Sequence, residues 1–266
     1  MLNSILILII IGLAVGYALK PTTEPFIDGI LSDSIENAGP ATYHPSAAAD
    51  EEDDPRDLPW IASWSPLDRK ARAGQNSTPK HTEAGPDGTT IISVSKSSED
   101  GLPHTRDGDR IYIPDQVLAT DRERTIRHEM VHIYQRRDPG RWARFYRRAW
   151  GFELHQEPPA DMPPWIVTTR RSNPDTWTTP WPCWQGRVWP VAVYKDPVYP
   201  SLRAADVIWW DSWRREALRT PPVDWLAFFG HPAQPEHPHE IAAILLTDED
   251  NSSEAGRRLL NWWHTG

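Results

Sequence analysis

From Met1 to Leu19 the chain carries no charged side chain, and the run LNSILILIIIGLAVGYAL is long enough to cross a bilayer as one helix. Residues 1–19 are therefore expected to form a single-pass membrane anchor, with cleavage after the small residues around Gly16-Tyr17-Ala18 as the alternative. Over residues 20–87 the apolar positions lose any period, and Pro, Ala, Ser and charged residues dominate. Such a stretch cannot bury enough surface to offset the entropy of ordering, which predicts a disordered acidic linker with Trp60 and Trp64 docking locally. Structure is expected to begin near residue 88. TTIISVSKS, from Thr89, reads as a β-branched strand, and RIYIP, Arg110 to Pro114, as a second one after the turn Asp107-Gly108-Asp109. Thr120 and Glu123 have capping-box spacing, and no breaker follows until Asp138-Pro139-Gly140, which predicts a helix over 121–137. Trp142, Phe145, Tyr146, Ala149 and Trp150 then line one face of a helix over 140–150, closed by Gly151. Residues 153–205 are dense in Pro and Trp and read as irregular structure packed by indoles; helical character returns over 205–219 and from Glu240 to Leu246.

Charge changes this picture in one place. The formal net charge is -9, yet between Pro21 and Asp57 ten acidic residues face one basic residue, Arg56. The acidity thus belongs to the linker, and the rest of the chain is close to neutral. Arg141, Arg144, Arg147 and Arg148 form the outer face of the 140–150 helix and read as a solvated face over an aromatic stripe, so no nucleic-acid partner is expected. A single cysteine, Cys183, rules out an intrachain disulfide, so the fold must rest on its core. Lys20 alone flanks the apolar run, too little to assign a side of the membrane.

The chemistry sits in the middle of the 121–137 helix, in TIRHEMVHIY, Thr125 to Tyr134. Residues four apart share a helix face, so His128 and His132 can converge on one ion. Glu129, turned by about 100° from His128, can reach a water at that ion without being a ligand. Without a metal, two imidazoles and a carboxylate would each need a buried hydrogen-bond partner, a costly decoration for a core helix. The ten residues resemble the extended signature of the zincin metallopeptidases: Thr125 and uncharged Ile126 before His128-Glu129, uncharged Met130 and Val131 between the histidines, Ile133 and Tyr134 after them. The resemblance is confined to this helix and its surroundings. It implies an α+β zincin-like domain over 88–266 with a small mixed sheet, an active-site helix and a loop-rich Trp/Pro C-terminal subdomain. It also implies Zn2+ as cofactor, Glu129 as catalytic base and a peptide or protein substrate paired along an edge strand, with TTIISVSKS or HTRDGDRIYIP as the edge.

A catalytic zinc site needs a third protein ligand. The metzincin pattern would place glycine at 135 and histidine at 138, where this chain has Gln135 and Asp138. A gluzincin-like arrangement takes a glutamate from a later helix, and Glu240 in HPHEIAAILL is the expected ligand, with Ala242 and Ala243 leaving room for close packing. Asp138, His237, His239, Glu216 and Glu153 remain alternatives, and Tyr194, Tyr199 and His237 are the candidate oxyanion donors. The function expected is membrane-anchored, zinc-dependent peptide-bond hydrolysis. The alternatives are an anchored binding or structural protein with a non-catalytic zinc, and a zinc hydrolase acting on a non-peptide substrate held by the indoles.

Overall fold

The structure, a computed structural model, describes residues 54–265. The apolar run 1–19 and the acidic segment up to residue 53 lie outside the described residues. Among the described residues no helix is long and apolar enough to cross a membrane.

The chain from Pro55 onward is a mixed α and β unit with two small sheets. It begins inside the segment expected to be linker. Helix α1 (Leu58–Ala62) and helix α2 (Pro66–Arg72) precede strand β1 (His81–Ala84). Ser65 and Asp68 form a reciprocal capping box at the start of α2, with Pro66 in its first turn. Burial of Asp57, Trp60, Asp68 and Arg72 ties this segment into the fold, so these residues do not belong to the disordered linker expected up to residue 87.

The first sheet has the order β1-β2-β4-β3, with β2 (Thr90–Val94), β3 (His104–Arg106) and β4 (Arg110–Pro114). Strands β2 and β4 run parallel, from Thr90 opposite Arg110 to Val94 opposite Pro114, and the outer pairs are antiparallel. The sheet is thus mixed, as expected. One face, with Ile91, Ile111 and Ile113, packs on Met130 and Ile133 of the long helix α3 (Ala119–Arg137). That helix begins at Leu118 without a side-chain cap, so the expected Thr120 capping box does not form. It ends where Asp138 turns extended and caps helix α4 (Pro139–Phe145) by accepting from Arg141 N–H at 2.9 Å. Helix α4 continues as a π-helical turn (Tyr146–Trp150), closed by Gly151 in the left-handed region at φ 76°.

The second sheet corrects the expectation of irregular structure over 153–205 and of a helix over 205–219. It is a five-stranded antiparallel meander: β5 (Phe152–His155), β6 (Trp181–Trp184), β7 (Val188–Tyr194), β8 (Ala205–Asp211) and β9 (Glu216–Leu218). Both of its faces are covered. Trp184, Val188 and Trp209 face an aromatic core with Trp142, Phe145, Trp150, Trp225 and Phe229. Trp181, Trp189, Val191, Val193 and Trp210 face Met162 and Ile166, the latter from the short helix α5 (Pro164–Thr169). A strand buried on both sides shows no polar alternation, so β7 carries apolar residues throughout and lacks the usual strand signature. Helices α6 (Val223–Phe229), α7 (Pro238–Thr247) and α8 (Glu254–Thr265) complete the aromatic core.

Candidate metal centre

Helix α7 starts where it does for local reasons. Pro238 occupies its first turn, and the ring of His237 caps it, Nδ1 accepting from His239 N–H at 3.1 Å. This leaves Glu240 in the first turn. Ala242 and Ala243 are fully buried and let α7 approach α3 closely, so Glu240 comes to rest opposite His128 and His132.

Three potential ligand atoms meet there. His128 Nε2 and His132 Nε2 are 3.2 Å apart, and each is 3.5 Å from Glu240 Oε2. A tetrahedral zinc with bonds of about 2.0–2.1 Å holds its ligand atoms about 3.3–3.4 Å apart, so this triangle has the right size. Nitrogen, nitrogen and carboxylate oxygen are also the right donors. The side chains of His132 and Glu240 are 1 % and 3 % exposed, while that of His128 is 18 % exposed and marks the open side of the triangle.

Two of the three ligand candidates, His132 and Glu240, are held from behind. Gln135 Oε1 lies 2.8 Å from His132 Nδ1, and Asn173 Nδ2 donates to Glu240 Oε1 at 2.7 Å, leaving Oε2 to face the histidines. Glu129 is buried beside them, and its Oε2 has no hydrogen-bond partner among the described residues. A bare carboxylate oxygen in such a place is expensive unless it serves a ligand, an ion or a water. A second set, Glu129, His132 and Asp175, also lies within ligand reach. It shares His132 with the first, so with His132 Nδ1 engaged by Gln135 one nitrogen must serve both positions. The triangle with His128 and Glu240, whose sides have the length a zinc ion needs, is the better cation site.

The electrostatics agree with a site short of positive charge. Burial pushes the Glu129 carboxyl well above the usual carboxylate range, Asp175 adds to this, and His132 opposes it only in part. Burial would lower His132, but the carboxylates of Glu240 and Asp175 outweigh it and raise the imidazole to about 10. Burial also works against ionised Glu240, yet His132, with hydrogen bonds from both imidazoles, holds it well below its ordinary value. Glu129 and His132 therefore hold their protons more tightly in the metal-free cluster, and a divalent cation would answer the same demand.

The alternative ligands are placed elsewhere or otherwise engaged. Asp138 is exposed and caps α4. His237 caps α7 through Nδ1, and its Nε2 lies 2.9 Å from the Thr179 carbonyl oxygen. His239 packs on the Tyr146 ring. Glu216 and Glu153 are exposed on β9 and β5. Of the candidate oxyanion donors, Tyr194 donates to Asp68 at 2.8 Å and Tyr199 is 79 % exposed beside Lys70, so neither is aimed at the triangle.

The expected edge strand is corrected as well. TTIISVSKS forms β2, which is interior to its sheet. HTRDGDRIYIP contains the edge strand β3, but that edge is already used. Thr105 N–H donates to Asp175 Oδ1 at 2.9 Å, and the Arg106 carbonyl accepts from Arg136 at 3.1 Å. Asn173 and Asp175, read from sequence only as part of a turn, thus reach the centre from the loop before β6. Their residue types carry no signal for this, since Asn-Pro-Asp is ordinary turn chemistry.

No protein-family model, curated protein or solved structure matches this chain.

Proposed function

We propose that this protein is a zinc-dependent peptide-bond hydrolase of zincin-like design, in which His128, His132 and Glu240 hold the ion and Glu129 is the general base. One observation carries the reading: a triangle of two imidazole nitrogens and a carboxylate oxygen, 3.2–3.5 Å on each side, with the unpartnered Oε2 of Glu129 in the same buried cluster. A zinc ion there would supply a Lewis acid and lower the pKa of a bound water toward about 7. Glu129 takes a proton from the attacking water and returns it to the leaving nitrogen. Its Oε2, buried in the same cluster without a hydrogen-bond partner among the described residues, supports both halves of that transfer. In this reading the apolar run 1–19 anchors the unit to a membrane as a single pass.

A second reading, a zinc that only braces α3 against α7, is favoured by the occupied edge of β3, where Asp175 and Arg136 stand in for a paired strand. Zinc content and cleavage of a peptide library, with and without chelator, separate the two in the wild-type chain and in Glu129→Gln. Hydrolysis predicts about one zinc in both proteins, with turnover lower by at least about 10²-fold in the variant. Bound zinc without chelator-sensitive cleavage would leave only the brace. Absence of zinc from the wild type sinks both.

A further inference from the structure

Gln135 stands three residues beyond His132 on α3 and is buried. A buried primary amide has two donor hydrogens and an acceptor oxygen to satisfy. Here all are engaged: Oε1 with His132 Nδ1 at 2.8 Å, and Nε2 with the Tyr146 hydroxyl at 3.1 Å and the His239 carbonyl oxygen at 3.0 Å.

The chemistry of these partners leaves one consistent assignment. A backbone carbonyl oxygen only accepts, so the amide end facing His239 must be the NH2 group. The end facing His132 is then the oxygen, which also only accepts, so His132 Nδ1 must carry hydrogen. In the neutral ring the lone pair consequently resides on Nε2, the atom that faces Glu240 Oε2 and His128 Nε2. The opposite tautomer would have an attraction of its own, because an Nε2–H could donate to the Glu240 carboxylate and close the site around a hydrogen bond. Gln135 disfavours that state by leaving its own oxygen against a bare Nδ1. The same amide also grips the first turn of α7 through His239, the residue before Glu240.

We infer that Gln135 is a positioning residue of this centre, holding His132 in the tautomer that offers Nε2 to a metal while tying together the two helices that carry the ligands. The inference rests on the metal-site reading above. It also gives a physical role to the side chain that stands where the metzincin pattern has glycine.

The test uses the full chain, zinc alone as probe in competition with a fluorescent chelator, and urea unfolding of the metal-free protein. Gln135→Met keeps the length of the side chain and removes its hydrogen bonding, and should weaken zinc binding about 10–100-fold. Gln135→Glu keeps an acceptor toward Nδ1 but turns its second oxygen against the His239 carbonyl, so it should recover only part of the affinity lost in Gln135→Met. Tyr146→Phe removes another partner of the same amide but leaves the His132 contact intact, and should not change zinc affinity by more than about threefold. Equal weakening by Gln135→Met and Tyr146→Phe would mean a merely structural role and overturn the inference. If Gln135→Met does not fold, nitrogen NMR of His132 in the zinc-loaded wild type decides: a ring with hydrogen on Nδ1 supports the role, and a ring with hydrogen on Nε2 overturns it. A wild-type chain that binds no zinc overturns the metal reading itself before any variant is compared.

Discussion

Arg72 is the sharpest place to test how the segment before β1 belongs to the fold. Its guanidinium meets Glu99 in a fork, Nε to Oε1 at 2.9 Å and Nη2 to Oε2 at 2.8 Å, and reaches Asp68 Oδ1 at 3.2 Å and the Ser172 carbonyl at 3.1 Å. It packs against the rings of both Trp60 and Trp64, 5.1 and 4.9 Å from their centroids. All three charged side chains are buried. Arg72→Met preserves most of the packing volume but leaves two buried carboxylates without their cation, and breaking such a pair costs about 3–5 kcal/mol. At about 2–4 °C per kcal/mol for a unit of this size, the midpoint of thermal unfolding should fall by about 6–20 °C. The effect should also depend on pH in a defined direction. Burial opposes ionisation of Asp68 and Glu99, but Arg72 and hydrogen bonds hold both carboxyls below their ordinary values. Their stabilising contribution is therefore present above the unfolded pKa near 4 and is lost as pH falls below it. The unfolded state is common to both chains, so the difference between them shrinks as pH falls from the raised carboxyl values that burial leaves in the variant toward the lowered ones of the wild type, and is smaller at pH 3.5 than at pH 7. Urea unfolding at pH 7 and pH 3.5 measures both quantities. A loss under about 1 kcal/mol at pH 7, or a difference that grows on acidification, would refute the argument. Because Arg72 and Asp68 both bind Ser172, next to Asn173, the variant should also weaken zinc binding.

Three further outcomes follow from the same geometry. Asn173→Ala frees Glu240 Oε1 from its donor and should lower zinc affinity about tenfold in chelator competition; unchanged affinity would remove Asn173 from the centre. Burial lowers His104 and His237 to about 4 each, so the unfolded chain binds more protons below pH 6.5 and stability must fall from pH 6.5 toward 4. In zinc-loaded protein the slope should reach about 1.4 kcal/mol per pH unit for each histidine, and His104→Phe should flatten it by one proton; an unaltered slope would count against His104. Burial pushes the Cys183 thiol up to about 12, so a disulfide reagent at pH 8 should label it only on unfolding, and native labelling as fast as in urea would contradict its placement.

Much of the local architecture was legible along the chain because its causes are local. Helix α3 ends at Arg137 because Asp138-Pro139 stops it, the stripe from Trp142 to Trp150 is helical, and Gly151 takes the left-handed cap. RIYIP is a strand, and Glu240 lies in the first turn of its helix. The segment with Asp57, Asp68 and Arg72 was misread because charged residues signal solvent unless their partners are known. Those partners are remote: Arg106 and Arg110 for Asp57, Glu99 and Ser172 for Arg72. Strands β6 and β7 and the second half of β8 were hidden for the opposite reason, since burial on both faces erases the alternation by which a strand is recognised.

The spacing of His128, Glu129 and His132 determined by itself that one helical turn could present two ligands and a base, because helix geometry is set within four residues. Which residue meets them could not be decided there. Several acidic residues and histidines were chemically eligible. Only the approach of α7 to α3, over the fully buried Ala242 and Ala243, selected Glu240, with Asn173 turning one carboxylate oxygen inward. Gln135 shows the same division: its sequence position excluded one metal pattern, but its role depends on His239 and Tyr146, which only folding brings to its amide.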